Sequence, residues 1–278
     1  MEHPTNAEDR AQAIGIPPSM AGQVKAWFDI LTVSPKGVLF EGGPLKVGVV
    51  HEYRMSQGRM VLHYMNLMQE PITQFSVEIP QVPFLRAKLG DVAAVLDTGG
   101  RSQQVYMCEC LQSFTESLPM VVSFVAEGRR YSLALRLPIV ITSFMEPSQF
   151  DAMDFAQRWD MLAGAPREQS CEVRTEQPVT ADRWEGIRSM IASGLKMDLA
   201  EGVPGVANGV PHLHAAGTFK TGSFNPDGVK ISLGVMLRVE VEPSSGTFRV
   251  TVRAVHGVVA TALRDIVSAQ LGSSSGRP

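Results

Sequence analysis

Ile231, Leu233, Val235, Leu237, Val239 and Val241 alternate with Ser232, Gly234, Met236, Arg238 and Glu240, and further on Phe248, Val250, Val252 and Ala254 alternate with Arg249, Thr251 and Arg253. A period of two over this length predicts a pair of half-buried strands. Glu242-Pro243-Ser244-Ser245-Gly246 between them is turn chemistry, so the strands pair antiparallel. Any register that keeps the two apolar faces together also gathers Arg238, Arg249 and Arg253, with Glu240, on the opposite face. Two readings stand open on this pattern alone. One is a solvated sheet face with a cross-strand ion pair; the other is a docking surface for carboxylates, which the planar fork of arginine suits.

Short strands also dominate the first half. They are expected at Val38–Phe40, Leu45–Arg54, Arg59–Asn66, Ile72–Ile79, Gln104–Leu111, Met120–Ala126 and Arg130–Ile141, with breaks such as Glu41-Gly42-Gly43-Pro44, Ser56-Gln57-Gly58 and Thr98-Gly99-Gly100 between them. Strands at this spacing predict an all-β, immunoglobulin-like antiparallel sandwich over residues 24–146 that needs no helix to complete it. Residues 1–23, with Pro4, Pro17 and Pro18, read as a flexible lead-in.

After Pro147 the period changes. Ser148 is placed to cap a helix in which Ala152, Phe155, Ala156, Trp159 and Leu162 share one face until Gly164 and Pro166 end it. A second helix is expected from Thr180 through Trp184, Ile187 and Ile191 to Ser193-Gly194, and a last one from Val258 to Leu271. Strands near Cys171–Thr175 and Ala215–Lys220 join the hairpin in one antiparallel sheet flanked by these helices. Residues 147–271 thus form an α+β platform, followed by a Gly/Ser tail at 272–278. Gly202 to Pro211 reads as a surface loop, because its glycines lack dinucleotide or P-loop spacing.

Enzyme chemistry finds no foothold. The chain has no G-x-S-x-G elbow, H-E-x-x-H pair or Walker lysine. Cys108 and Cys110 are two apart on one strand face and Cys171 is remote, which does not make a zinc site. His212-Leu213-His214 lacks a third ligand and reads as a pair of exposed loop histidines. No cofactor is expected. A formal charge of -3 argues against a dedicated nucleic-acid binder, so proteins are the expected partners. No apolar run is long enough to span a bilayer and the first twenty residues lack a signal-peptide pattern, from which a cytosolic chain is expected.

Asp154-Phe155-Ala156-Gln157-Arg158-Trp159 resembles the Asp-Phe-Phe-Gln-Arg-Trp segment that opens the C-terminal subdomain of the alpha-adaptin appendage, the ear of the plasma-membrane clathrin adaptor. Lys36-Gly37-Val38-Leu39-Phe40-Glu41, Gly58-Arg59-Met60, Gln103-Gln104-Val105, Phe114-Thr115-Glu116, Leu137-Pro138-Ile139 and Leu237-Arg238-Val239-Glu240 are similar to that family in the same order. The resemblance implies a sandwich followed by a platform, and a role in capturing Asp-Pro-Phe, Asp-Pro-Trp and Phe-x-Asp-x-Phe motifs in disordered tails of endocytic accessory proteins. It implies a peripheral place at clathrin-coated pits, with the other adaptor subunits and the clathrin coat as partners. Carried over, the platform pocket comprises Trp159 as aromatic floor beside Phe155 and Ala156, with Arg238, Arg249 and Arg253 around it and Glu168 and Glu240 as acidic members. A second site on the sandwich would involve Gln104 and Asn66. Ala156 departs from the family's second Phe and should widen the pocket. An ear of another coat subunit, of beta-adaptin or coatomer gamma type, is the competing reading, and an enzyme a more distant one.

Overall fold

The computed structural model describes residues 13–175, 178–203, 211–242 and 245–272. After a 3-10 turn at Pro18–Met20, helix α1 (Ala21–Leu31) takes in the last three residues of the expected lead-in, and a helix stands at the edge of the sandwich. Its Leu31 is fully buried. The sandwich consists of β1 (Lys36–Gly42), β2 (Leu45–Arg54), β3 (Gln57–Asn66), β4 (Thr73–Glu78), β5 (Leu85–Leu89), β6 (Arg101–Cys110), β7 (Pro119–Ala126) and β8 (Arg129–Arg136). One sheet has the order β1-β2-β3-β6-β5 and the other β4-β7-β8. β5 is the strand missing from the sequence reading; Arg86 and Lys88 break its apolar signal, and it lies at a sheet edge where one side needs no partner.

The chain crosses to the second half through a buried 3-10 turn, Ile141–Phe144, and β9 (Met145–Pro147), which already pairs with the platform sheet. Helix α2 (Ala152–Met161) is capped by Asp151, whose carboxylate accepts from the amides of Met153 and Asp154. The expected cap, Ser148, bonds Thr218 Oγ1 at 2.6 Å instead. There follow β10 (Glu168–Arg174), α3 (Ala181–Ser189, capped by Thr180 and continued as one wide turn to Gly194), β11 (Asp198–Ala200), β12 (His212–Phe224), β13 (Lys230–Glu242), β14 (Thr247–Ala254) and α4 (Gly257–Gly272). The sheet order is β10-β14-β13-β12-β11, with β9 also on β12. Most of the glycine-rich loop and part of the hairpin turn fall outside the described residues.

Leu237, Val239, Val241, Phe248, Val250 and Val252 are buried on the inner face of this sheet, and Val259, Leu263 and Val267 of α4 join them in its core. At about 25 cal/mol per Å² of apolar surface removed from water, this layer is the main force that holds the hairpin face up. The apolar core is continuous from Leu31 through the sandwich to Leu271. Polar ties reinforce the junction: Ser223 Oγ donates to Leu111 O at 2.7 Å, and Gln270 Nε2 to Asp29 O at 2.7 Å.

Candidate functional site

Strand register turns the outer face of the platform into three rows. Directly opposed residues of antiparallel neighbours share a face, and the pairings run Glu168–Arg253–Met236–Ala216–Asp198, then Ser170–Thr251–Arg238–His214–Ala200, then Glu172–Arg249–Glu240–His212. The hairpin's three arginines therefore do share one face, as their alternation requires.

Helix α2 lies over the first row. Phe155, wholly buried, and Trp159, 8% exposed, form a small apolar cluster with Ala216 and Met236. The rings of Phe155 and Trp159 are stacked at 5.9 Å with a 16° interplanar angle. The Arg253 guanidinium carbon sits 4.3 Å from the Trp159 ring centroid. Its Nε donates to Glu168 Oε2 at 2.6 Å and its Nη1 to Trp159 O at 2.7 Å, so one side chain fastens the edge strand β10 and the end of α2 to β14. The ring expected as an open floor is thus largely covered, and Ala156 beside it is half-buried.

The other arginines differ. Arg238 donates through Nη2 to Glu240 Oε1 at 2.7 Å, while its Nε is buried without an acceptor among the described residues. Arg249 is exposed between Glu172 and Glu240, and no hydrogen bond or ion pair engages it among the described residues. The exposed, unengaged Arg249 guanidinium is what an incoming carboxylate would complete, whereas the Arg238 Nε is unpartnered but closed off from solvent.

His212 and His214 were missed as members of this face. They lie in β12, not in a loop, and His214 is only 5% exposed, edge-on to Phe155 at 5.1 Å and to His212 at 5.2 Å. Burial, then the charges of Arg238 and His212, push its pKa down to about 4. The alternation His212-Leu213-His214-Ala215 was the available signal, since it places both rings on one face once the segment is read as strand.

Gln104 and Asn66 do not join any open surface. Asn66 is fully buried and its Nδ2 donates to Glu70 O, Leu96 O and Asp97 O at 2.8, 3.1 and 3.0 Å. Gln104 is 3% exposed, accepts from Tyr64 OH at 2.8 Å and donates to Gly90 O at 2.8 Å. Both amides are buried and hold loops to strand ends, so neither faces solvent where a ligand could reach it.

The family described as "Alpha adaptin AP2, C-terminal domain" matches residues 143–271, and "Adaptin C-terminal domain" matches residues 35–134. A sandwich and a platform, each matched by its own adaptin family, define an adaptin-type appendage. The chain belongs to the alpha-adaptin C-terminal appendage family. It is 29% identical over 249 residues to the AP-2 complex subunit alpha-2 of Dictyostelium discoideum, covering 90% of this chain and 24% of that protein. It is 25% identical over 234 residues to the AP-2 complex subunit alpha of Schizosaccharomyces pombe, covering 82% and 25%. The chain thus spans about a quarter of the length of these relatives. Among solved structures, the GAE domain of yeast GGA1 aligns over 36% of this chain and 97% of its own at 19% identity, with a TM-score of 0.32. No helix among the described residues is long and apolar enough to cross a membrane.

Proposed function

We propose that this chain is the appendage of an endocytic clathrin adaptor and that its platform face binds short aromatic-acidic motifs, of the Asp-Pro-Phe and Phe-x-Asp-x-Phe types, in disordered tails of accessory proteins. The observation that carries the site is Arg249, exposed and unengaged in the third row of the face, with Arg238 in the row between it and the Phe155–Trp159–Ala156 edge of α2. A ligand carboxylate pairs with Arg249, and its aromatic ring lies in the space that alanine at 156 leaves against α2. Glu172 and Glu240 accept ligand backbone N–H groups. Such a contact buries little surface, so affinity is weak and repeated motifs supply avidity.

On this reading the partners are endocytic accessory proteins, with the remaining three-quarters of a longer alpha subunit supplying the link to the other adaptor subunits and the clathrin coat. The working location is peripheral, at coated pits of the plasma membrane. Calorimetric titration of a Phe-x-Asp-x-Phe peptide tests the site. Saturable binding is expected, reduced at least tenfold in Arg249→Ala, whose exposed side chain can be removed without disturbing the core. Equal affinity of the two proteins would refute it. Trp159→Ala is a poorer test, because removing a buried ring alters the fold as well.

A further inference from the structure

Where the two halves meet, a cavity of about 320 Å³ opens among Ser34, His51, Tyr53, Thr142, Ser143 and Lys196. It shares no residue with the platform face. Lys196 Nζ donates to Ser143 O at 2.8 Å and lies 5.4 Å from the Tyr53 ring centroid. No carboxylate among the described residues forms an ion pair with it; Glu146, whose charge it feels, contacts Lys220 at 4.0 Å instead. Half-buried ammonium groups are ordinarily matched by a counter-charge, and this one has only a carbonyl and a π face.

Two further observations single out the same place. Lys196 has φ 56°, a left-handed backbone that an L side chain adopts only under constraint, and such strain concentrates at functional positions. Thr142, 1% exposed, has a hydroxyl with no hydrogen-bond partner. A buried polar atom of this kind calls for a specific explanation. The rest of the wall is already satisfied. His51 Nε2 donates to Ser34 O at 2.8 Å, which leaves Nδ1 to accept from Tyr53 OH at 3.2 Å. Glu52, the acid at the rim, is 74% exposed and pairs with Arg59 at 3.5 Å. Burial also lowers the pKa of both His51 and Lys196, as expected where positive charge lacks a partner.

We propose that this cavity binds a small dissolved oxyanion of phosphate or carboxylate type, held by the Lys196 ammonium and the Thr142 hydroxyl. The occupant ties the loop before β11 of the platform to the turn at Ile141–Phe144 that leaves the sandwich, so it stabilises the junction by mass action. The volume admits an anion of a few heavy atoms with its waters, at the small end of ligand sites.

Titration of the whole chain with inorganic phosphate and separately with acetate, at ionic strength held constant with sodium chloride and followed by backbone amide NMR, tests the site. Saturable shifts confined to residues 33–34, 142–143 and 194–196 are expected with at least one of the two anions, and which one binds identifies the class. Affinity should fall at least tenfold in Lys196→Met and in Thr142→Val, the latter exchanging a hydroxyl for a methyl of the same shape. Absence of saturable shifts with both anions overturns the proposal, as does wild-type affinity in either variant. If Lys196→Met does not fold, Thr142→Val alone decides.

Discussion

Arg253→Ala should destabilise the platform by about 3 kcal/mol, far more than its place on the outer face of a sheet suggests. The side chain is 15% exposed and makes two short hydrogen bonds, to Glu168 and to the Trp159 carbonyl. Hydrogen bonds that involve a charged group contribute about 1.5–3 kcal/mol each before compensation. Contact with the Trp159 ring adds about 0.5–2 kcal/mol. Glu168 is 31% exposed and can recover hydration when its partner leaves, which offsets part of the loss. Urea denaturation should therefore give a lowered midpoint with unchanged m, and tryptophan fluorescence should shift to the red as water reaches Trp159. Arg249→Ala is the internal control: an exposed, unengaged arginine should cost no more than about 0.5 kcal/mol. A double-mutant cycle with Glu168→Gln should return a coupling of at least about 1 kcal/mol. Equal destabilisation by Arg253→Ala and Arg249→Ala, or a cycle with no coupling, would refute the assignment of Arg253 as the fastener.

His214 predicts an acid-sensitive platform. Its pKa in the fold is about 4 against the ordinary 6.5, so below pH 6.5 the unfolded chain takes up a proton that the folded chain refuses. Stability should then fall as pH drops from about 6.5 toward 4, and His214→Gln should flatten that limb in denaturation midpoints measured across the range. Gly58→Ala would place a Cβ 2.5 Å from the Tyr53 ring, at the junction of the two halves, and 2.9 Å from the buried Cys108 Sγ. Overpacking of this kind should cost about 1–3 kcal/mol, measurable by thermal or chemical unfolding. Asp151→Ala removes the side chain that caps α2 through the amides of Met153 and Asp154, and should cost about 1 kcal/mol, while Ser148→Ala should leave the helix terminus intact by circular dichroism.

Period-two and helical-period patterns made the large elements legible. β13 and β14 emerge with the faces their alternation assigned, and α3 is capped by Thr180 and, through the wide turn after Ser189, winds on to Gly194, the limits its residues indicated. What was not legible had local physical reasons. β5 is a short edge strand interrupted by charge, and α1 follows a proline pair that reads as a linker until tertiary burial of Leu31 gives the helix a reason to form. The cap of α2 went to Asp151 because Ser148 is drawn off by Thr218, a residue seventy positions later. The same limit applies at the site. Sequence order placed the arginines on one face, but not which of them is already engaged, since Arg253 meets Glu168 only through the β10–β14 register and Trp159 only through the seating of α2.

On the proposed reading, that difference in engagement sets which ligands the face would accept. Glu168 shares the row of Arg253, Glu172 and Glu240 share that of Arg249, and Arg238 reaches Glu240 from the row between, so the surface is not a simple positive trap. A carboxylate that approached Arg253 would have to displace Glu168 from a 2.6 Å contact and leave that acid without its partner. At Arg238 it would compete with Glu240, and the unpartnered Nε is closed off from solvent. At Arg249 it displaces nothing but water. On the proposed reading the least costly ligand therefore carries its acid at the distance of the third row from α2 and its aromatic group at Ala156. Specificity on such a face comes as much from the glutamates, which repel misplaced acids, as from the arginines that hold the correct one.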